Sequence, residues 1–521
     1  MSTAPAKVFV RDATGLVRQF SWFDALMISM AAIGPGIFGF SSQIAFVASA
    51  DPNADILATC YLGLALSLPI AIVYWMMSLA MPRSGGDYVW VSRVLNPVIG
   101  FMVGWGFWIV ILSFVGSEAY LFSSTVLPIF LASFGYGWNN PSLVSMASAV
   151  TTTGPVLVIG ILLLILTTSI AGFGAGIFKR SMAFFFVLSV IATIASIAVL
   201  GSTTHADFIN AFNGFAGQTY NSIISQAQAA GWTFSPITLG GTLLGAPLAV
   251  VLFLGWNGAS AAAGEVRAVN RSMLYALIGS LIVAFIIDGL GIMFSMNTFG
   301  YDFIQAVTVK WSLAPPPWPI FLMTPLLTNP VLLCLIQLGW LEVLPWSMAG
   351  WTLVATRYVF AFSFDRVFPV KLADINDRFH FPVKAAIANF VGACVFFALA
   401  AFTPFLGLWL NSIAIASLVW LVASVAAIVL PFKMKGIADL LPGKSWKVPL
   451  VSIVGFISMV CMLANFYWDA TTPAIGPSTF QADLILLGIM IAGILVFTIS
   501  YFTRKSQGID LRLVYAQLPP E

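Results

Sequence analysis

A Gly-Pro-Gly sequence interrupts the first long apolar segment of this chain. The segment runs from about Phe23 to Ala50, which is long enough to cross a bilayer as a helix, and Gly34, Pro35 and Gly36 lie near its middle. Glycine weakens a helix, while proline removes a backbone donor and clashes with the preceding turn. Because an unpaired backbone group in hydrocarbon is costly, we expect this break to line a cavity or to bind a ligand. The alternative is a simple kink, since prolines occur in many membrane helices.

The composition indicates an integral membrane protein. The 521 residues are 60% hydrophobic and only 8% charged, with a mean hydropathy of +0.99, whereas soluble proteins are about a quarter charged. The apolar runs are continuous and do not alternate, which favours transmembrane helices over a β-barrel. The net charge of +3 does not indicate a nucleic-acid partner, because the basic residues are used in topology.

Apolar runs of about 20 residues predict about twelve transmembrane helices, of which the third and eighth are long. With the N-terminus inside and the spans alternating, each of the 22 lysines and arginines except Lys310 falls on the cytoplasmic side. This asymmetry predicts a multi-pass protein of the cell membrane with both termini in the cytoplasm. The predicted spans begin near Phe23, Leu57, Val98, Pro155, Ser181, Gly241, Met273, Val331, Val383, Leu406, Val448 and Leu484.

A second interruption lies in the predicted sixth span, where Gly255, Trp256, Asn257 and Gly258 break an apolar helix. Two interrupted spans at matching positions, five apart, predict an inverted repeat with a substrate site between its halves, as in transporters. The predicted organisation is a cytoplasmic tail over residues 1–19, a ten-helix inverted-repeat transport core over 20–432, two accessory transmembrane helices over 433–503 and a second cytoplasmic tail over 504–521.

Four stretches of the chain resemble motifs of the amino acid–polyamine–organocation superfamily. Residues 34–38 are similar to its G-x-G-(I/V)-F break, and residues 82–88 resemble its P-x-S-G-G-x-Y stretch. Residues 253–271 resemble its sixth-helix motif, and residues 357–369 are similar to its R-x-L-Y-A-x-A-R-D-G-x-x-P motif. The resemblance implies an all-α membrane fold with a leucine-transporter-like 5+5 inverted repeat and broken helices 1 and 6. It also implies secondary active transport of an amino acid or related amine by alternating access.

The chain departs from the family pattern at three places. Pro35 has no backbone N–H, although the middle residue of the family's G-x-G break often offers one to a substrate carboxylate. The family's paired acids are replaced by Gly264-Glu265, and its A-R-D-G is replaced by the Ser-Phe-Asp-Arg of residues 363–366. These departures leave the expected fold intact and loosen the assignment of a substrate.

The ends of the broken helices predict a substrate site. A half-helix that starts in the membrane exposes N–H groups that suit a carboxylate, and one that ends there exposes carbonyl groups that suit an ammonium group. We expect the two breaks to bind the two ends of a zwitterion. Trp256 would close over the substrate or lie near a membrane interface, as many tryptophans do. The candidate residues are Ile33, Gly34, Pro35, Gly36, Leu254, Gly255, Trp256 and Asn257.

Three acids fall inside predicted spans, and intramembrane carboxylates are costly enough to suggest function. Glu118 is the first candidate, because the resemblance places the third span beside the site; it would pair a cationic substrate or carry a coupled proton. Glu342 is the second candidate for substrate binding. We expect Asp288 to hydrogen-bond within the bundle or to face the outer vestibule.

The coupling ion is left open between sodium and proton. Proton-coupled members of the family often place a lysine in span five, but Ser181 to Leu200 contains none, and Ser189 and Thr193 lie near that position. Sodium would need hard oxygen ligands. The candidates are the carbonyl groups of Met30 and Ile33 and the hydroxyl groups of Ser347 and Thr352, unless the hydroxyls bond their own helix. No cofactor or metal site is expected.

Charged residues at the predicted inner helix ends have two interpretations. They form an ion-pair network that holds an inner gate shut, or they are solvated surface charges that serve topology. These residues are Glu265, Arg267, Arg271, Arg357, Asp365 and Arg366. On the other side, the loops His205–Gly240 and Asn297–Asn329 are long enough to form ordered caps or to be plain connections.

Three other functions are alternatives to transport by a permease. An exchanger of the same fold is the nearest alternative. A transporter-like sensor would normally carry an added soluble domain. A membrane-embedded enzyme would need a nucleophile–base pair or a metal-ligand cluster at membrane depth, and neither histidine is predicted there, so we do not expect an enzyme. The expected partners are a small-molecule substrate and the lipid bilayer, without nucleic acid; the oligomeric state is open.

Overall fold

The structure is a computed structural model that describes residues 16–313, 315–405, 412–443, 448–471 and 479–519. Within these residues the chain is helical, with three isolated β-bridges and no strand. Eleven helical segments of this described part are long and apolar enough to cross a membrane. Some predictions concern positions outside it: residues 1–15 of the N-terminal tail, the start of the tenth span at Leu406, and Lys444 and Lys447.

The first half of the chain contains the first five predicted spans. Its helices are α1 Trp22–Ile33, α2 Ile37–Ala50, α3 Ile56–Ala80, α4 Asp87–Val94, α5 Pro97–Leu121, α6 Leu127–Gly137, α7 Pro141–Ala149, α8 Thr153–Gly172 and α9 Ala175–Ser202. Helices α1 and α2 follow each other within the first span. A π-helical turn at Phe122–Val126 joins α5 to α6 in a third span of 41 residues, so this span is long, as predicted.

The second half contains the remaining spans and several short helices. Its helices are α10 His205–Phe212, α11 Tyr220–Ala229, α12 Leu239–Leu252, α13 Val269–Met273, α14 Ser280–Phe299, α15 Tyr301–Val309, α16 Pro319–Leu322, α17 Pro330–Phe364, α18 Val383–Phe402, α19 Ser412–Lys433, α20 Lys435–Ala438, α21 Leu450–Thr471, α22 Thr479–Ser506 and α23 Leu511–Tyr515. A π-helical turn joins α13 to α14 in one span. Helix α17 has 35 residues, so the eighth span is also long.

The predicted sixth span differs from the expected length. Helix α12 is apolar but has only 14 residues, fewer than the about 20 that a full crossing needs. After Leu252 the chain continues through short 3-10 turns at Gly258–Ala261 and Ala263–Glu265. Gly255, with φ +124°, is in a conformation that a helix cannot contain, so the helix ends before it.

Side chains at the helix starts explain several of these boundaries. The Ser21 hydroxyl accepts the N–H of Asp24, and the Asp24 carboxylate accepts the N–H of Ser21 at 2.8 Å, which completes a capping box for α1. Asn96 caps α5 and Asn329 caps α17, and a proline follows each of them at the first helical position. Polar caps therefore start helices whose interiors are almost wholly apolar.

Helix α17 lies at the centre of the bundle. It packs against α1, α5 and α9, and most of its side chains from Leu333 to Ser363 are buried. The last two long helices lie outside this centre: α21 packs against α3 and α19, and α22 packs against α5. The first and third spans are thereby held against one central helix.

The two long loops on the predicted outer side are ordered. The first contains α10 and α11, and the second contains α15 and α16. They pack on each other through aromatic rings: Tyr220 stacks on Phe303 with a centroid distance of 4.8 Å, and Phe208 meets the same ring at 5.4 Å. The loops therefore form one cap, as one of the two interpretations predicted.

An aromatic cluster links this cap to α2 and α17. Trp318, next to α16, contacts Phe46 at 5.5 Å and Trp340 at 5.6 Å between ring centroids. Phe38, at the start of α2, contacts both tryptophans at 5.9 and 5.7 Å. Because Phe38 lies two residues after Gly36, the cluster joins the start of α2 to the cap.

Candidate functional site

The gap between α1 and α2 is formed by Gly34, Pro35 and Gly36. Gly34 has the left-handed conformation (φ +63°, ψ +46°), and its N–H donates to the carbonyl of Met30 at 2.9 Å, which ends α1. Gly36 has φ +100° and ψ −136°, a region that favours glycine, and α2 starts at the next residue. The local sequence therefore dictates both the end of one helix and the start of the other.

The segment after α12 lies directly against this gap. A Cβ atom on Gly255 would overlap the backbone of Ala32 and Ile33, so these two segments of the chain touch at a position where only glycine fits. Further along, the N–H of Ala259 donates to the hydroxyl of Ser29 in α1 at 3.3 Å. The structure thus brings together the two segments that the sequence singled out as interruptions. We call the residues Ile33–Gly36 and Leu254–Asn257, with Glu118 and Asp288, the break site.

The remaining candidates of the second segment are buried beside it. Leu254, Trp256 and Asn257 are each at most 2% exposed. The Trp256 ring lies between Tyr74 and Trp420, at centroid distances of 5.1 and 5.4 Å. Neither Trp256 Nε1 nor Asn257 Oδ1 has a hydrogen-bond partner among the described residues. Both are therefore buried polar atoms that no described residue satisfies.

Asp288 of α14 binds the first break directly. Its Oδ1 accepts the N–H of Gly36 at 2.8 Å, and the side chain is buried. A Cβ atom on Gly39, one turn into α2, would lie 2.5 Å from the same oxygen, so glycine at this position leaves room for the carboxylate. This agrees with the expected hydrogen bond within the bundle. The sequence analysis did not assign Asp288 to the break between α1 and α2. Its charge inside a predicted span was the signal that could have led to that assignment.

Glu118 of α5 is held by α17. Its Oε1 accepts the hydroxyl of Ser347 at 2.9 Å, and its Oε2 has no partner within the described residues, although the side chain is only 6% exposed. Ser347 lies between Val343, which is the nearest neighbour of Gly34, and Gly350, which packs against Ala31. These positions share one helical face. The Glu118 carboxylate therefore lies at the level of the last turn of α1.

Glu342 lies on a different face of α17, toward α9. It is 7% exposed, and neither of its carboxylate oxygens has a partner in the described part of the chain. Three residues before it, Gly339 packs against Ala192; four residues after it, Trp346 contacts Phe186 at 6.1 Å. Helical spacing places Glu342 between these contacts, near Ser189 of α9 and one face away from Glu118.

The candidate coupling residues are placed in different ways. Met30 and Ile33 lie in the last turn of α1, where the Met30 carbonyl accepts the N–H of Gly34, and Ser347 lies on the face of α17 that packs against this turn. The Thr352 hydroxyl donates to the carbonyl of Met348 at 2.7 Å within its own helix, which is the alternative weighed for such hydroxyls. Ser189 is buried in α9, and one turn further Thr193 lies against Gly36 with an Oγ1 that has no partner among the described residues.

At one end of the bundle the charged residues form buried pairs. Arg357 binds Glu265 through two nitrogens, at 2.5 and 2.8 Å, and both side chains are at most 1% exposed. Asp365 accepts both terminal nitrogens of Arg93 at 2.8 Å and the hydroxyl of Tyr88 at 2.6 Å. A network is therefore present, but its composition differs from the predicted set. Arg93 belongs to it, whereas Arg267 and Arg271 are exposed.

Asp87 is the third carboxylate of this end. Its two oxygens accept the hydroxyls of Tyr74 at 2.6 Å and Tyr358 at 2.7 Å. Burial raises the pKa of the Asp87 carboxyl from 3.8 to about 6, although the hydrogen bonds from both tyrosines and from the backbone of Tyr88 act in the opposite direction. We call this group the end cluster; it comprises Tyr74, Asp87, Tyr88, Arg93, Glu265, Arg357, Tyr358, Asp365 and Tyr515.

Backbone contacts tie the motif stretches together around the end cluster. The N–H groups of Gln19 and Phe20 donate to the carbonyl of Glu265 at 2.9 and 3.0 Å. The N–H of Gly85 donates to the carbonyl of Ala261 at 2.9 Å. Three of the four stretches that carry the family resemblance meet here, and the segment before α1 closes over them.

The arrangement defines a class of protein: a helical, multi-pass membrane protein with buried acids beside interrupted apolar helices. Residues 20–495 match the family described as amino acid permease. Because this match covers most of the chain, the protein belongs to the amino acid permease family, within the amino acid–polyamine–organocation superfamily. The family resemblance predicted from the four motifs is thereby confirmed.

Three relatives of the chain are described as transport proteins. It is 24% identical over 418 residues to a branched-chain amino acid permease of Lactococcus lactis, a match that covers 76% of this chain and 78% of the relative. Shorter matches are 30% identity over 97 residues to a probable polyamine transporter of Arabidopsis thaliana, covering 19% of each chain, and 28% over 112 residues to an arginine/ornithine antiporter of Latilactobacillus sakei, covering 22% of this chain and 21% of the relative. Family membership and these relatives point to a transporter and not to an enzyme.

Proposed function

We propose that this permease moves an amino acid or a related amine across the cell membrane by alternating access, as a secondary active transporter. The substrate would bind at the break site, between the end of α1, the start of α2 and the segment after α12. In this proposal residues 20–432 form the inverted-repeat transport core, and residues 433–503 contribute two accessory helices. The termini would lie in the cytoplasm, on the side of the end cluster.

The observation that carries the proposal is the contact between the two interrupted segments. Gly255 packs on the backbone of Ala32 and Ile33 so closely that any side chain would overlap them. Helix ends that meet inside an apolar bundle leave donors and acceptors without helical partners, and those groups suit a polar ligand. The long third and eighth spans stand five apart, like the two interruptions, and this spacing supports the inverted repeat.

The end cluster fits the role of a closed inner gate. Its Arg357–Glu265 pair joins α17 to the segment after the second interruption, and its Arg93–Asp365 pair joins α4 to the end of α17. Opening this side would have to separate such pairs, so the substrate's binding energy must offset their loss. Gating by rearranged ion pairs is a common form of switching in proteins.

The coupling ion is proposed to be sodium or a proton, and exchange of two substrates is the alternative mechanism. An ion site is supported by the carbonyl groups in the last turn of α1, which includes Met30 and Ile33, and by the Ser347 hydroxyl on the face of α17 that packs against this turn. Glu118, with one carboxylate oxygen unpartnered within the described residues, supports proton coupling instead.

The proposal is tested by uptake into proteoliposomes. Purified protein is reconstituted and offered radiolabelled amino acids and amines, with an inward sodium gradient, an inward proton gradient or a preloaded substrate. Concentrative uptake of one compound under one of the gradients supports a coupled transporter, and uptake only into preloaded vesicles identifies an exchanger. If correctly folded protein transports no member of the panel under any condition, the proposed function is wrong.

A further inference from the structure

The N-terminus of α2 is already occupied by a carboxylate of the protein itself. Asp288 Oδ1 accepts the Gly36 N–H at 2.8 Å, and Asp288 is only 2% exposed. A Cβ atom on Gly39 would lie 2.5 and 2.7 Å from the two Asp288 oxygens, so the carboxylate covers the first turn of this 14-residue helix. The first turn of a helix is where an anionic ligand would otherwise bind.

No residue of the Gly-Pro-Gly sequence has a free N–H to offer to a ligand. The N–H of Gly34 donates to the carbonyl of Met30 at 2.9 Å. Pro35 has none, and the N–H of Gly36 is bound to Asp288. The donors of the Gly-Pro-Gly sequence itself are therefore taken by the chain, and the Asp288 carboxyl group covers the first turn of α2 that follows.

The acceptors of the same break are left for a ligand. The last turn of a helix leaves carbonyl groups without helical partners, and α1 ends at the break. Beside it lies Glu118, 6% exposed, whose Oε2 has no partner in the described part of the chain. Its Oε1 is fixed by Ser347, on the α17 face that packs against the end of α1. The site thus presents a carboxyl group and carbonyl oxygens to a ligand.

The buried acids around the break also favour an ammonium group as the ligand. Glu118, Asp288 and Glu342 are all buried, and within the described residues none of them takes part in an ion pair. Next to Asp288 and Glu118 an ammonium group would favour the charged form of each carboxyl group, whereas a cargo carboxylate would disfavour it.

We propose that Asp288 fills the subsite of a cargo carboxylate, so that the cargo is a primary amine without a carboxylate, bound through its ammonium group by Glu118 and the carbonyl groups ending α1. This inference rests on the proposed transport function and narrows its substrate class. Asp288 acts here as a positioning residue that caps α2.

The test compares amino acids with the amines that remain when their carboxyl group is removed. The pairs are leucine and 3-methylbutylamine, ornithine and putrescine, and arginine and agmatine; each pair has the same side chain. Wild-type protein in proteoliposomes is assayed for uptake, and in detergent for thermal stabilisation by each compound. For at least one pair, we expect the amine to give half-maximal uptake or stabilisation at a concentration about tenfold or more below that of its parent amino acid.

The outcomes separate this inference from the transport proposal. If amino acids are transported as well as or better than their amines in every pair, the inference is wrong and the proposed function stands. If an amino acid of the wider uptake panel is transported and no amine is, the inference is wrong; if no member of the wider panel is bound or transported, the proposed function is wrong as well.

Two variants of Asp288 test the cap itself. Asp288→Ala removes the carboxylate from the N-terminus of α2, and we expect the ratio of amino acid to amine affinity to rise by at least about tenfold. Asp288→Asn keeps an oxygen that can accept the Gly36 N–H, so the preference for the amine should persist. If folded Asp288→Ala protein keeps the wild-type ratio of amino acid to amine affinity, the inference is wrong. If neither variant folds, the wild-type protein decides, and a preference for the amino acid over its amine would overturn the inference.

Discussion

The end cluster and the break site both contain buried carboxylates, but they differ in what those carboxylates bind. In the end cluster Asp87, Glu265 and Asp365 have each of their oxygens in a short hydrogen bond to tyrosine or arginine. At the break site Glu118 retains an oxygen without a partner among the described residues. Buried groups that are satisfied within the protein hold it together, and those left open are suited to a ligand.

The largest effect is expected from breaking the central ion pair of the end cluster. Arg357→Ala leaves the Glu265 carboxylate buried without its partner, which costs about 3–5 kcal/mol of unfolding free energy. The matched control is Lys384→Ala, which breaks a pair at 2.6 Å whose side chains are about half exposed, and should cost less than about 1 kcal/mol. Unfolding in detergent measures both; equal losses in the two variants would contradict the structural role of the end cluster.

The contact between the two interrupted segments is tested by Gly255→Ala. The new methyl group would overlap the backbone of Ala32, and alanine is strained at φ +124°, so a loss of at least about 2 kcal/mol is expected, together with loss of uptake. Gly289→Ala is the control, because no atom lies within 4 Å of its added Cβ. A Gly255→Ala protein as stable as the control would show that the segments do not pack as described.

Asp87 gives the end cluster a dependence of its stability on pH. Burial raises its pKa from 3.8 to about 6, so the folded protein binds this proton more tightly than the unfolded chain. Its contribution to stability is complete below about pH 4 and is lost as the pH rises through about 6. This shift in the pKa of Asp87 corresponds to at most about 3 kcal/mol of unfolding free energy. Melting curves of wild type and Asp87→Asn should therefore diverge between these pH values, and parallel pH profiles would contradict the assignment.

The smallest effect concerns the C-terminal helix α23. The Tyr515 hydroxyl lies 2.8 Å from that of Tyr88, and its ring lies 4.8 Å from the Arg93 guanidinium. Tyr515→Phe removes one hydrogen bond and keeps the ring, so about 1 kcal/mol should be lost. The exposed Gln517, changed to alanine, should alter stability by less than about 0.5 kcal/mol. A thermal-shift comparison checks both, and equal melting temperatures for the two variants would show that α23 does not stabilise the end cluster.

The sequence located both interruptions because glycine and proline carry that information locally. Gly34 and Gly255 adopt backbone angles that other residues avoid, and their position within apolar runs is visible without a structure. The helical membrane class and the family also followed from apolar runs and motif order. The sixth helix ends at Leu252, shortly before the predicted interruption at Gly255, and hydropathy alone does not distinguish an apolar helix from the apolar turns that follow it.

The partners of the buried charges could not be predicted in the same way. Asp288 meets Gly36 across 252 positions of sequence, and Arg93 meets Asp365 across 272. Such contacts depend on how far one helix is shifted and rotated against another, which apolar side chains of similar size do not specify in a single sequence. For this reason Glu342 was chosen as a candidate from its intramembrane charge, Glu118 from its charge and the expected position of its span, and Arg93 was missed.

The comparison between the two regions is tested most directly by two substitutions that each remove one negative charge. Glu118→Gln keeps an oxygen for the Ser347 hydroxyl, so its melting temperature should stay within about 2 °C of wild type while amine uptake into proteoliposomes falls at least about tenfold. Glu265→Gln should instead lower the melting temperature clearly, since Arg357 loses its buried counter-charge. Unchanged uptake by a folded Glu118→Gln protein would contradict the assignment of the break site as the place where cargo binds.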